Sequence, residues 1–258
     1  MRFDGSYTVA GIRELETCLV DSGTKVIPGV ELTAKYGDDE VHILAYDFDI
    51  DVVAEIVDER NCMVRRQKIE EMSLAITLSQ KEGFEVTPGL VPIETQPVTL
   101  TLALDICAKE SNQSLFMKRH NKLLLPEEVY WEYQAPLKNC AVVRSGVTVE
   151  WVVEKFKNVA RDLIIAHPFV PVSVVVKELD EVRLLDLLRK GLTGVEVYHN
   201  KTSDDQIDLL KHLVEERSLN FSGGSDHHGR EGDSLLGEYG PKRLVPAFRL
   251  SRYSINNF

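Results

Sequence analysis

The chain has 258 residues, room for one or two domains at ~150 residues each, and α/β barrels commonly use ~250 for one. Thirty Lys and Arg against 41 Asp and Glu leave a formal charge of -11, which argues against a general binder of nucleic acid or anionic membrane, because such binders need clustered bases. Hydrophobic content of 43% and charged content of 28% are those of a globular chain, so disorder is not expected.

Two strand-like runs come early, Lys25–Leu32 and Glu40–Phe48, with turn chemistry from Tyr36 to Asp39 between them, so a hairpin is expected. A helical period runs from about Asp51 to Glu82 and stops at Gly83. From about Phe84 to Thr148 the pattern is less regular: Pro88, Pro92 and Pro97 interrupt it, a helix is expected over about Val98–Lys109, and Leu125-Pro126 opens another. After Thr148 helices and strands alternate plainly. A helix over about Val149–Ala160 precedes a strand over Asp162–Pro168, and a helix over about Leu179–Lys190 precedes a strand over Gly194–His199. A helix over about Ser203–Arg217 then leads to a strand over Leu219–Asp226, and the last 20 residues are weakly patterned. Such alternation with continuous apolar strands predicts a parallel sheet with helices outside.

No apolar run approaches the ~20 residues of a membrane helix, and the start holds no apolar signal core, so a cytoplasmic protein without membrane contact is expected. Cys18, Cys62, Cys107 and Cys140 form no CxxC pair and are expected to be reduced thiols.

The chemistry is positional. His167, His199 and Asp226 each stand at the C-terminal end of an expected strand, His228 lies just beyond the last, Glu31 is near the end of its own, and His42 lies inside the next. In α/β folds the active site gathers at that edge. A lone strand-end histidine is ordinarily a satisfied hydrogen-bonding residue, and Asp226 after Gly223-Gly224-Ser225 also fits a plain turn. Convergence of at least five such groups favours a divalent cation, which relieves their repulsion and desolvation. Mixed imidazole and carboxylate ligands suit zinc, manganese or iron better than calcium. His120 and His212 read as surface residues. A phosphate-binding glycine loop, a dinucleotide fingerprint and a GxSxG elbow are all missing, which disfavours an NTPase, a dehydrogenase and a serine hydrolase.

Four stretches, Val26–Glu31, Val41–Tyr46, Ala166–Pro168, and Gly194–His199 leading into Gly223–Gly229, together resemble the PHP (polymerase and histidinol phosphatase) family over roughly Thr8 to Gly237, specifically its stand-alone metal-dependent phosphoesterases. The resemblance implies an α/β fold, a distorted TIM-like (β/α)7 barrel, here N-terminally incomplete. The expected layout is a barrel over residues 1–83 and 149–237, an inserted mostly helical subdomain over 84–148 and a C-terminal tail over 238–258. It also implies hydrolysis of a small phosphate ester, a nucleotide or sugar phosphate, by metal-activated water. Carried over by position, Glu31, His42, His167, Asp226 and His228 match the metal ligands, and His199 matches a histidine near the substrate phosphate. The implied cofactors are divalent ions, Mn, Fe or Zn foremost with Mg next, and the implied partner is a small phosphorylated substrate rather than nucleic acid. Oligomeric state is left open.

The departures from the family pattern are as informative. Gly5-Ser6-Tyr7 stands where Asp-His-Asp is expected before a turn matched by Thr8–Gly11, nothing upstream supplies His-x-His, and Gln96-Pro97-Val98 replaces a Gly-Arg-Pro-His element. Half a cage therefore remains, expected to bind one metal weakly. The alternative is a catalytically impaired PHP-like binding or regulatory protein that has lost part of its metal site.

Overall fold

The computed structural model describes residues 8–37, 39–93, 97–134, 146–170, 178–227, 232–239 and 243–255. The helices are α1 (Ala10–Leu19), α2 (Ile50–Lys81), α3 (Val98–Ala108), α4 (Glu110–His120), α5 (Pro126–Val129), α6 (Val149–Phe156), α7 (Glu181–Arg189) and α8 (Asp204–Arg217). The strands are β1 (Gly29–Tyr36), β2 (Asp39–Tyr46), β3 (Val147–Thr148), β4 (Asp162–Ile165), β5 (Gly194–His199), β6 (Asn220–Gly224), β7 (Glu238–Tyr239), β8 (Arg243–Leu244), β9 (Phe248–Arg249) and β10 (Ser254–Ile255). Described residues form two units, 8–57 with 147–255, and 58–134 with Gly146.

In the first unit, Leu32 and Ala34 of β1 and Val41, Ile43 and Ala45 of β2 are buried at every second position. That period of two sets an antiparallel hairpin with one face in the core. Its register places Glu31 opposite Leu44 and Thr33 opposite His42. Pairing starts at Gly29, later than the expected Lys25, since Pro28 has no N–H to offer a ladder. Beyond the hairpin, β2 pairs antiparallel with β4, and β4, β5 and β6 run parallel, with α7 and α8 as the crossovers. Gly194 is required where β5 meets its neighbours: a Cβ there would stand 2.0 Å from the carbonyl oxygen of Asn220.

The sheet has eight strands in the order β10-β9-β6-β5-β4-β2-β1-β3. It is mixed rather than parallel, because the β1–β2 hairpin and the β9–β10 pair join antiparallel at its two sides. Among the described residues it is open, with β10 and β3 at its edges. Residues after 238, which carry little sequence pattern, nonetheless supply β9 and β10, so local alternation is too short there to be read. Asp162, fully buried at the start of β4, ties this edge down. Its carboxylate accepts from Asn220 Nδ2 at 2.6 Å, Ser251 Oγ at 2.7 Å and the Ser251 N–H at 3.0 Å. At the far end of the hairpin, the Tyr36 hydroxyl donates to Asp186 of α7 at 2.7 Å.

The second unit packs α3, α4 and α5 with the later turns of α2 around Phe84, Leu102, Ile106, Phe116 and Val129. Buried Asn112 joins the segment after α2 to this core: its Oδ1 accepts the Glu85 N–H at 2.8 Å, and its Nδ2 donates to the Glu85 and Ile106 carbonyls at 2.7 and 3.0 Å. Among the described residues no helix is long and apolar enough to cross a membrane. Cys18, Cys62 and Cys107 are free thiols, while Cys140 lies outside the described residues.

Candidate metal centre

Glu31 and His42 are diagonal neighbours across the hairpin, one pair removed from direct opposition on the face away from Leu32 and Ile43. Diagonal positions are within reach of long side chains, and His42 Nδ1 lies 2.7 Å from Glu31 Oε1. Glu31 is thus the third residue of β1, not a strand-end residue as the sequence implies, and it meets His42 along the sheet face.

His167 arrives from the neighbouring strand. The Ala166 N–H continues the β4 ladder by donating to the His42 carbonyl at 3.0 Å. Strict alternation would then send residue 167 to the face of Ile165. His167 instead has a φ of 30°, sparsely populated for a residue with a side chain, and its ring turns so that Nε2 lies 3.0 Å from His42 Nδ1 and 3.6 Å from Glu31 Oε1. The two rings meet edge to face, at 4.9 Å and 82°. These three ligand atoms lie within 4.8 Å of one another, the group among the described residues able to hold a metal ion.

Two further groups predicted from sequence stand beside them. The His199 ring is 5.3 Å from that of His167, and its Nε2 is 3.7 Å from Asp226 Oδ2, beyond hydrogen-bond length. Nδ1 of His199 accepts the Lys201 N–H at 3.2 Å, so the neutral ring carries its proton on Nε2, which is buried with no hydrogen-bond partner among the described residues. Asp226 also has a left-handed φ, 51°. His228 lies outside the described residues, as do Gly5-Ser6-Tyr7 and Gln96.

One member of the site lies within a matched stretch, Gly194–His199, but has no role assigned from the sequence. Glu196, in the middle of β5 and 6% exposed, accepts the backbone N–H of His167 through Oε2 at 2.9 Å. Its signal in the sequence is a carboxylate inside an otherwise apolar strand, where an unpaired charge is costly. Burial pushes this carboxyl from 4.5 up to about 7, against the charge and N–H of His167 and with the negative charges of Glu31 and Asp226. For Glu31 the balance falls the other way. Burial pushes it up, but the His167 and His42 rings beside it, and their charge when protonated, hold it well below the usual carboxylate range. His120 is not a plain surface residue: its Nε2 meets the Tyr133 hydroxyl in the second unit.

No protein-family model matches the sequence, and a search of curated proteins finds no match. Solved structures share the fold. A Bifidobacterium adolescentis protein provisionally assigned as a metal-dependent phosphoesterase is 18% identical with a TM-score of 0.57, over 90% of this chain and 78% of that one. An amidohydrolase from Chromobacterium violaceum, with bound sulfate and no metal, is 17% identical with a TM-score of 0.55, over 91% of this chain and 79% of that one.

Proposed function

We propose that the chain is a metal-dependent hydrolase of a small phosphate ester, a nucleotide or sugar phosphate, with Glu31, His42 and His167 holding a divalent cation. The observation that carries this reading is the triangle of 2.7, 3.0 and 3.6 Å among Glu31 Oε1, His42 Nδ1 and His167 Nε2. Ligand bonds of ~2.0–2.2 Å spread neighbouring donors about 3 Å apart, so the donor set fits a first-row divalent ion. Two imidazoles and one carboxylate suit Mn, Fe or Zn, with Mg a weaker match. The two structural neighbours, one named a phosphoesterase and the other an amidohydrolase, support the hydrolase part of this reading.

A bound divalent cation supplies Lewis-acid polarisation of a phosphoryl oxygen and a more acidic water. The chain supplies the rest. His199 presents its buried Nε2–H beside the triad, a donor suited to an anionic substrate oxygen, and the Lys201 N–H on Nδ1 holds that tautomer. Asp226 Oδ2 stands 3.7 Å from His199 Nε2, and by the family resemblance it joins His228 in completing the ligand set.

A second reading, a binding or regulatory protein that retains one cation without turnover, is favoured by Gly5-Ser6-Tyr7 standing where metal ligands are expected. Calorimetric titration of the metal-free chain with Mn²⁺ or Zn²⁺, paired with hydrolysis of p-nitrophenyl phosphate, separates the two. Expected are saturable binding that His42→Ala removes and turnover that Asp226→Ala removes. Binding without turnover in the parent selects the second reading, and no binding overturns both.

A further inference from the structure

We propose that Glu196 is a positioning residue: its buried carboxylate clamps the main chain of His167 and thereby aims the His167 ring at Glu31 and His42. This inference rests on the proposed cation site for its purpose, and on the main-chain geometry for its existence.

Among the described residues, the turn after β4 is held by backbone bonds from the Ala166 N–H to the His42 carbonyl at 3.0 Å, the Val170 N–H to the His167 carbonyl at 2.9 Å, and the Leu179 N–H to the Pro168 carbonyl at 2.8 Å. The N–H of His167 itself has no main-chain acceptor among the described residues, and φ at this residue is 30°. A buried N–H without an acceptor is costly, and a strained φ adds to that cost, so this conformation persists only where its surroundings fix it. Glu196 Oε2 meets that N–H at 2.9 Å from 29 residues away in sequence.

Glu196 is itself fixed from both sides. Parallel pairing sets it opposite Ser222 of β6, and the register shifts immediately after it, between Glu196 and Tyr198. Valines flank it, and all six residues of β5 are buried. A carboxylate in such a strand weakens the fold relative to an apolar residue of similar size unless it does something the apolar residue cannot. What it does here, among the described residues, is accept an N–H that belongs to a residue of the triad. The carboxylate thus stands behind the ligand, acting on it through its backbone rather than on the cation.

The test uses the full chain with Glu196→Gln, which keeps an oxygen acceptor, and Glu196→Leu, which has none. In metal-free protein the His167 amide is expected to exchange with solvent slowly in the parent and the Gln variant, and at least ~10-fold faster in the Leu variant. Zn²⁺ affinity is expected to fall about 10–100-fold in the Leu variant and to stay within about threefold in the Gln variant. Unchanged protection of the His167 amide in the Leu variant overturns the clamp, as does loss of protection in the Gln variant to the same extent. A parent that binds no Zn²⁺ removes the cation reading, and amide exchange then decides the clamp alone. Should the Leu variant not fold, a through-hydrogen-bond coupling between the His167 amide nitrogen and Glu196 Cδ in the parent takes its place, and its absence overturns the proposal.

Discussion

Glu31 and Glu196 lie in one site and are driven in opposite directions, because Glu31 faces two imidazoles while Glu196 is buried in an apolar strand against the His167 N–H. A carboxyl whose folded pKa is raised contributes stability fully below its unfolded value, near 4.5, and loses that contribution as pH rises through about 7. The metal-free parent is therefore expected to lose on the order of 3 kcal/mol relative to the non-titrating Glu196→Gln variant as pH rises from about 4.5 to about 8. Urea unfolding of both proteins across that range checks it, and parallel curves would count against it. Glu31 and His42 are legible in the sequence because a hairpin of known alternation puts them on one face. The role of Glu196 is not, since its partner is a main-chain N–H 29 residues away on a neighbouring strand end.

At the scale of elements, the strands and helices of the alternating region fall within a few residues of expectation, because each has its own period and its own end signals. Ser203 is a clear case. Its hydroxyl accepts the Gln206 N–H while the Gln206 side chain accepts the Ser203 N–H, which starts α8 at Asp204. The short strands near the C-terminus had no such marks and exist through their partners: β9 pairs with β6 by Phe221 and Arg249, and Asp162 holds Ser251. Asp162→Ala would strand the donors of Asn220 and Ser251 in that edge. It is expected to lower the unfolding free energy by about 3 kcal/mol, measured by urea denaturation. A loss under about 0.5 kcal/mol would mean that β9 and β10 hold without it.

For the whole molecule, a cation that binds the folded chain and not the unfolded one stabilises by mass action, about 2.7 kcal/mol at a hundredfold excess over Kd. Adding Mn²⁺ or Zn²⁺ to chelated protein is expected to raise Tm, and His42→Ala to abolish the rise, as thermal melts monitored by circular dichroism would show. An equal rise in both would place the cation elsewhere. By itself the sequence determined the α/β character, the hairpin, the run of parallel strands, and the residue types of a mixed imidazole and carboxylate site. Those follow from local period, end signals and composition. Only the tertiary structure decided that the sheet is mixed, that Glu31 joins from within its strand, and that a buried glutamate in β5 holds the backbone of His167. Each depends on strands distant in sequence meeting at a particular register, and on one residue taking a backbone angle that its own neighbours do not favour.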